Sequence, residues 1–146
     1  MPTLLRRLHR VTGSLSILCI GSFMTASVVA ELYGDASIIS TVKRAILWGL
    51  LVLVPCLATT GLSGYRATSG APRGLALVKL RRMRIIGLNG ICVLVPCALF
   101  LAARAAASRF GWPFYSIQAL ELLAGSINLT LLVLNFRDGL RLARRQ

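Results

Sequence analysis

Residues 45–65 read AILWGLLVLVPCLATTGLSGY, with no charged side chain in the run. A helix crosses the hydrocarbon layer of a bilayer in about 20 residues, and one that is apolar on every face has no side to turn to water. This stretch is therefore read as a membrane span. Three further runs follow the same rule, over about residues 11–33, 85–103 and 113–136. At 146 residues the chain is a single domain. The expected fold is all-α: a polytopic membrane protein built as a four-transmembrane-helix bundle.

Composition agrees with that reading. The chain is 56% hydrophobic and 14% charged, with a mean hydropathy of +0.76, which excludes disorder and exceeds what one soluble core holds. The formal net charge of +13 would suggest nucleic acid in a soluble domain, but no such domain is this apolar, and no nucleic-acid partner is expected.

The cations instead mark topology. Arg6, Arg7 and Arg10 stand in the N-terminal tail. Arg66, Arg73, Lys79, Arg81, Arg82 and Arg84 lie in the long link over 66–84, and Arg137, Arg141, Arg144 and Arg145 in the C-terminal tail. Alternating spans put these thirteen on one side, against Lys43, Arg44, Arg104 and Arg109 on the other. The positive-inside rule then predicts both termini in the cytoplasm, with the protein in the cell inner (plasma) membrane. Tyr33, Trp48, Trp112 and Tyr115 are expected at the outer interface, and Tyr65 and Phe136 near the inner one. The run after Arg10 ends on Val28-Val29-Ala30, the outline of a secretory signal, but its length fits a retained anchor span better.

The fourth span carries the polar constellation of most interest. Glu121, Asn128 and Asn135 are seven residues apart, and Gln118 and Gly125 fall on the same stripe. Such groups are expensive against lipid, so this face must look into the bundle or onto a partner. There the stripe works either as a proton or cation site centred on Glu121 or as hydrogen-bonding glue between helices. Glu31, at the outer end of the first span and one turn after Ser27, is expected to pair with a cation on that side. A shared outer vestibule with Glu121 is the sharper alternative. Asn89, between Gly87 and Gly90, predicts close helix packing with an amide hydrogen bond, and Ser22, Ala26 and Ala30 form a small-residue ridge of similar meaning.

Other signals are weaker. Lys79, Arg81, Arg82 and Arg84 are expected to meet anionic headgroups, at the end of an interfacial helix over 75–82. The motif VLVPC occurs at 52–56 and again at 93–97. The match is read as membrane composition rather than an inverted repeat, with Pro55 and Pro96 kinking their helices. The four cysteines fall in apolar stretches with no CxxC or Cys/His cluster, so neither a disulfide framework nor a metal site is expected. Residues 8–13 resemble the first-helix opening of membrane cytochrome b subunits. However, His9 is the single histidine and paired axial ligands are missing, so no cofactor is expected and His9 is read as a headgroup contact.

The chain as a whole resembles small four-span bacterial inner-membrane proteins of no assigned function. The resemblance rests on Arg81-Arg82-Met83 with Asn89-Gly90, on Phe114-Tyr115 with the run from Gln118 to Leu122, and on the run from Asn135 to Leu140. Small multidrug transporters differ in carrying their membrane glutamate in the first span. The membrane-associated glutathione and eicosanoid enzymes differ in their Glu-Arg and Asn-bearing helix motifs. The reading reached is an accessory or scaffold protein acting through helix–helix contacts, as a homo-oligomer or with a membrane partner, in a bilayer with anionic headgroups. The alternative is a small proton-coupled transporter or channel using Glu121. A membrane enzyme is the weaker option, since no nucleophile–base set is present.

Overall fold

The computed structural model describes residues 3–66 and 74–143, with side chains over 7–66 and 74–141. The turn formers Thr68, Ser69, Gly70 and Pro72, the cations Arg73, Arg144 and Arg145, and the side chain of Arg6 lie outside the described residues. Helices α1 (Thr3–Tyr33) and α2 (Ala36–Arg66) form a first hairpin. Helix α3 (Leu75–Asn89), a π-helical turn (Gly90–Leu94) and α4 (Val95–Ala106) make one continuous rod, and α5 (Trp112–Ala143) completes the bundle. Four rods are long and apolar enough to cross a membrane, and among the described residues there is no strand.

Rods that follow one another in sequence are neighbours in space. α1 packs on α2 and α5, the α3–α4 rod packs on α2 and α5, and the two diagonal pairs stay apart. The start of α1 and the end of α5 therefore lie at one end of the bundle, the terminal end. The two short connections, at 34–35 and 107–111, lie at the other, the turn end.

Only 17–28% of the most apolar window of each rod is buried inside the bundle. The remaining Leu, Ile, Val and aromatic side chains face outward over a surface that water would not tolerate and lipid does. The all-α, four-span membrane architecture expected from the sequence is the one the chain adopts.

The turns have local causes. Asp35 caps α2, its Oδ1 accepting the Ile38 N–H at 2.9 Å. Gly34 precedes it where a Cβ would press on the Ala30 carbonyl and the Ile38 side chain, so the hairpin needs glycine there. At the end of α4, the Ser108 N–H bonds Ala105 O and the Arg109 N–H bonds Arg104 O, a Schellman closure with Ser108 at φ +50°.

The helices outrun the expected spans: the third rod begins at Leu75 rather than Ile85, and α2 begins at Ala36 rather than near Ala45. The Asp35 cap starts it early, and the buried positions Ile39, Lys43, Ile46 and Leu53 continue one inward stripe through the charged pair at 43–44. Trp48 consequently lies about 18 Å along α2 from Ala36 and faces outward, whereas Tyr33 and Trp112 stand at the turn end itself. The basic segment over 75–82 is continuous with the third rod rather than a separate interfacial helix.

The two VLVPC copies differ in backbone. Pro55 sits within regular α2, whereas Pro96 follows the π turn, where the Val95 N–H reaches back five residues to Gly90 O. Proline lacks an N–H and crowds the carbonyl four residues back, and one widened turn relieves both problems in the third rod. Cys97 is buried and Cys56 is not. The motif does not impose a common local structure.

Two apolar clusters hold the rods together. Ala30, Ile39, Leu101, Ala105 and Phe114 close the turn end, and Ile20, Leu53, Ile86 and Leu132 fill the interior nearer the termini. Close approach of α1 and α2 depends on Gly49, whose missing side chain leaves the space that the Phe23 ring occupies.

Candidate functional site

Lys43 is the most deeply buried charged side chain described, at 2% exposure. It leaves the inward stripe of α2 two turns below the turn end and meets α1 and the diagonal helix α5 at once. Its ammonium donates to Ser27 Oγ at 3.0 Å, to Gln118 Oε1, and to Glu121 Oε2 at 3.2 Å. Those three bonds exhaust its donors. Glu31 Oε1 lies 3.4 Å away as a further ion-pair partner, and it is buried without a hydrogen bond of its own.

The spacing behind this convergence is simple. Ser27 and Glu31 are one turn apart on α1, and Phe114, Gln118 and Glu121 follow one face of α5. Phe114 is fully buried and its ring centroid lies 6.0 Å from the Lys43 ammonium, so the aromatic side chain covers the site toward the turn end.

Charge in this site does not balance. Glu31 and Glu121 share one ammonium, and among the described residues no second cation lies within ion-pair distance of either. Gln118 is 3% exposed and keeps its Nε2 without a partner. Below the site, on the bundle axis, lies a cavity of about 50 Å³ touched by Ser27 and Glu121 at its upper edge and lined otherwise by apolar side chains, with Ile20 and Leu53 among them. The volume suits a small number of water molecules.

The rest of the α5 stripe also faces inward, in two separate stations. Midway along, the Asn89 Nδ2 donates to Asn128 Oδ1 and to Ala124 O, both at 2.9 Å, and the Asn128 Nδ2 donates to Ile86 O at 3.2 Å. This is the amide contact expected for Asn89. Near the terminal end, Arg82 binds Asp138 at 2.7 Å, with Asn135 Oδ1 at 3.5 Å, and the Asn135 Nδ2 reaches Lys79 O at 3.3 Å. From Gln118 to Asp138 the polar face covers about 30 Å of helix. Glu31, Gln118 and Glu121 therefore share one site, while Asn89 with Asn128, and Asn135 with Asp138, form others.

Several expectations need correction. Lys79 and Arg82 are one turn apart on the face turned toward α5, so Arg82 pairs with Asp138 instead of serving headgroups; Arg81 and Arg84 remain exposed. His9, expected at the headgroups, turns onto α2, its Nδ1 lying 2.9 Å from Ser63 Oγ and 3.1 Å from Thr60 O. Position 9 lies one turn before Thr12, whose hydroxyl accepts from Thr60 at 2.8 Å, and this seam carries the imidazole inward. Of the ridge on α1, Ala30 is buried, but Ser22 and Ala26 line an open groove beside α5.

The sequence offered Lys43 as one of four cations for Glu31, and it is the one that pairs, but its burial at the centre of the site and the role of Asp138 went unread. Both carried a signal. Lys43 falls at helical spacing between Ile39 and Ile46, and Asp138 continues the α5 stripe one turn past Asn135.

Comparison with protein-family models, with curated proteins and with solved structures returns no match to this chain. The site itself has to carry the functional argument.

Proposed function

We propose that the protein is a small proton-coupled transporter or channel whose working site is the Glu31–Lys43–Glu121 cluster. The observation that carries this reading is the sharing of one buried ammonium by two carboxylates beside a water-sized cavity. A membrane interior penalises uncompensated charge, so the site is built to take up one further positive charge. The cavity leaves no room for an organic substrate, and carboxylates in reach of water inside a membrane are suited to taking up a proton. The unpartnered Gln118 amide gives a water beside the carboxylates a donor to hold it.

The membrane is the cell inner membrane and both termini are cytoplasmic. Cation counts support this, and burial of Lys43 in the bundle leaves only Arg44, Arg104 and Arg109 on the opposite side. The resemblance to small four-span bacterial inner-membrane proteins points the same way. In this orientation the charge cluster lies nearer the outer face and His9 nearer the cytoplasm.

The accessory or scaffold reading is retained as second, because the Asn89–Asn128 and Arg82–Asp138 contacts are all closed within one chain and make the bundle self-standing. Purified protein in sealed liposomes separates the two. Under an imposed pH gradient the native protein should dissipate it, and Glu121→Gln should abolish that flux without changing the oligomeric state in detergent. Absence of flux from the native protein, together with altered assembly in the variant, would overturn the proton reading in favour of the scaffold.

A further inference from the structure

The polar groups at the terminal end are not used by the Lys43 cluster, yet they lie on the same bundle axis. Between α1 and α2, Thr12, Ser16, Thr60 and Ser63 are all buried, and His9 caps this row of hydroxyls from the terminal side. The Thr60 carbonyl can only accept, so its 3.1 Å contact needs the proton on His9 Nδ1. The Ser63 hydroxyl can serve the imidazole with or without that proton. One helical turn beyond Ser16, the buried side chains Ile20 of α1, Leu53 of α2, Ile86 of α3 and Leu132 of α5 meet as one layer, with one member from each rod. Ile20 and Leu53 also line the cavity that reaches Ser27 and Glu121. Two polar groups of side chains thus face each other across a layer of apolar side chains, which the Asn89–Asn128 amide pair flanks through its bond to Ile86 O.

We infer that this layer is a hydrophobic gate, and that protons travel between His9 and Glu121 through it. The inference deepens the proton reading and rests on it. Water is the co-reactant. An imidazolium at His9 gives its Nδ1 proton to Ser63 Oγ as that hydroxyl passes its own proton to water, releasing the Thr60 contact and keeping Nε2–H. Water chains through the cavity when the layer hydrates. A carboxylate oxygen of Glu121 then gains the O–H bond while the imidazole regains its lone pair. Narrow apolar constrictions gate by wetting and drying, and the stretch to be wetted is this layer with Ile17 and Leu57 packed against it. Charged groups around the two ends are Lys79, within electrostatic reach of His9 on one side, and Asp138 paired to Arg82 behind it. At the other end they are Lys43 and Glu31.

The liposome assay tests this with two more substitutions. Leu53→Ser, which makes the layer polar, should raise proton flux roughly tenfold or more, and His9→Gln should lower it by a similar factor in both backgrounds. His9→Gln keeps a hydrogen-bonding side chain without the titrating ring, and Leu53→Ala replaces Leu53→Ser if the latter fails to elute as a single species. If native flux is lost in Glu121→Gln but unaffected by His9→Gln and by the Leu53 variants, the route is wrong and the Glu121 site stands. If neither the native protein nor a Leu53 variant conducts, both readings fall.

Discussion

At the scale of the residue, Lys43 decides most about this molecule. Its ammonium is held by Ser27, Gln118 and Glu121, with Glu31 as a fourth neighbour. Removing one partner of a buried ion pair leaves the other uncompensated, which costs about 3–5 kcal/mol, whereas replacing the whole set by neutral groups is often tolerated. Lys43→Met should therefore lower unfolding stability in detergent by that order. Adding Glu31→Gln and Glu121→Gln to it should recover most of the loss. A triple variant no more stable than Lys43→Met would show that the cost comes from packing rather than charge. Asn128 makes the complementary case. Its amide is fully buried and doubly bonded, so Asn128→Ala should cost about 1–2 kcal/mol. A double-mutant cycle with Asn89→Ala should show that the two losses are not additive. The sequence exposed the inward face of α5 because polar groups at seven-residue spacing have one tolerable direction in lipid. It hid the burial of Lys43 because a cation near a span boundary reads as part of the loop.

At the scale of the element, caps and prolines set where the rods begin and bend. Asp35 starts α2 and the Ser108–Arg109 closure ends α4. Ser108 holds φ +50°, a region that glycine enters without steric cost. Ser108→Gly should therefore stabilise the protein by about 0.5–1 kcal/mol, read as a higher midpoint in thermal unfolding. Unchanged or reduced stability would mean that the Ser108 side chain has a role of its own at the turn end. The π turn before Pro96 was not legible in the sequence, since Pro55 in the same pentapeptide context sits in regular helix. What separates them is position in the bundle: the third rod must turn Asn89 toward Asn128 and bury Cys97 directly after the proline, and a widened turn rotates one face relative to the other.

At the scale of the whole molecule, four antiparallel rods put both termini on one side. With the cytoplasmic orientation proposed for them, a cysteine at Ser37 should label with a membrane-impermeant reagent in intact cells, and one at Gln146 only after permeabilisation, in a background lacking the four native cysteines. The reverse pattern would invert the bundle and place His9 at the outer face. The number of spans, the all-α class and the inward face of α5 were determined by the sequence alone, because run length and periodicity are local properties that the bilayer enforces. Which acid meets which base was decided only by the tertiary structure. The partners Glu31, Lys43 and Glu121 come from three helices, and their meeting depends on how those rods are staggered. No spacing within one helix encodes that offset. It arises from the packing of Phe23 on Gly49 and of Phe114 over the Lys43 site, contacts made only when the rods come together.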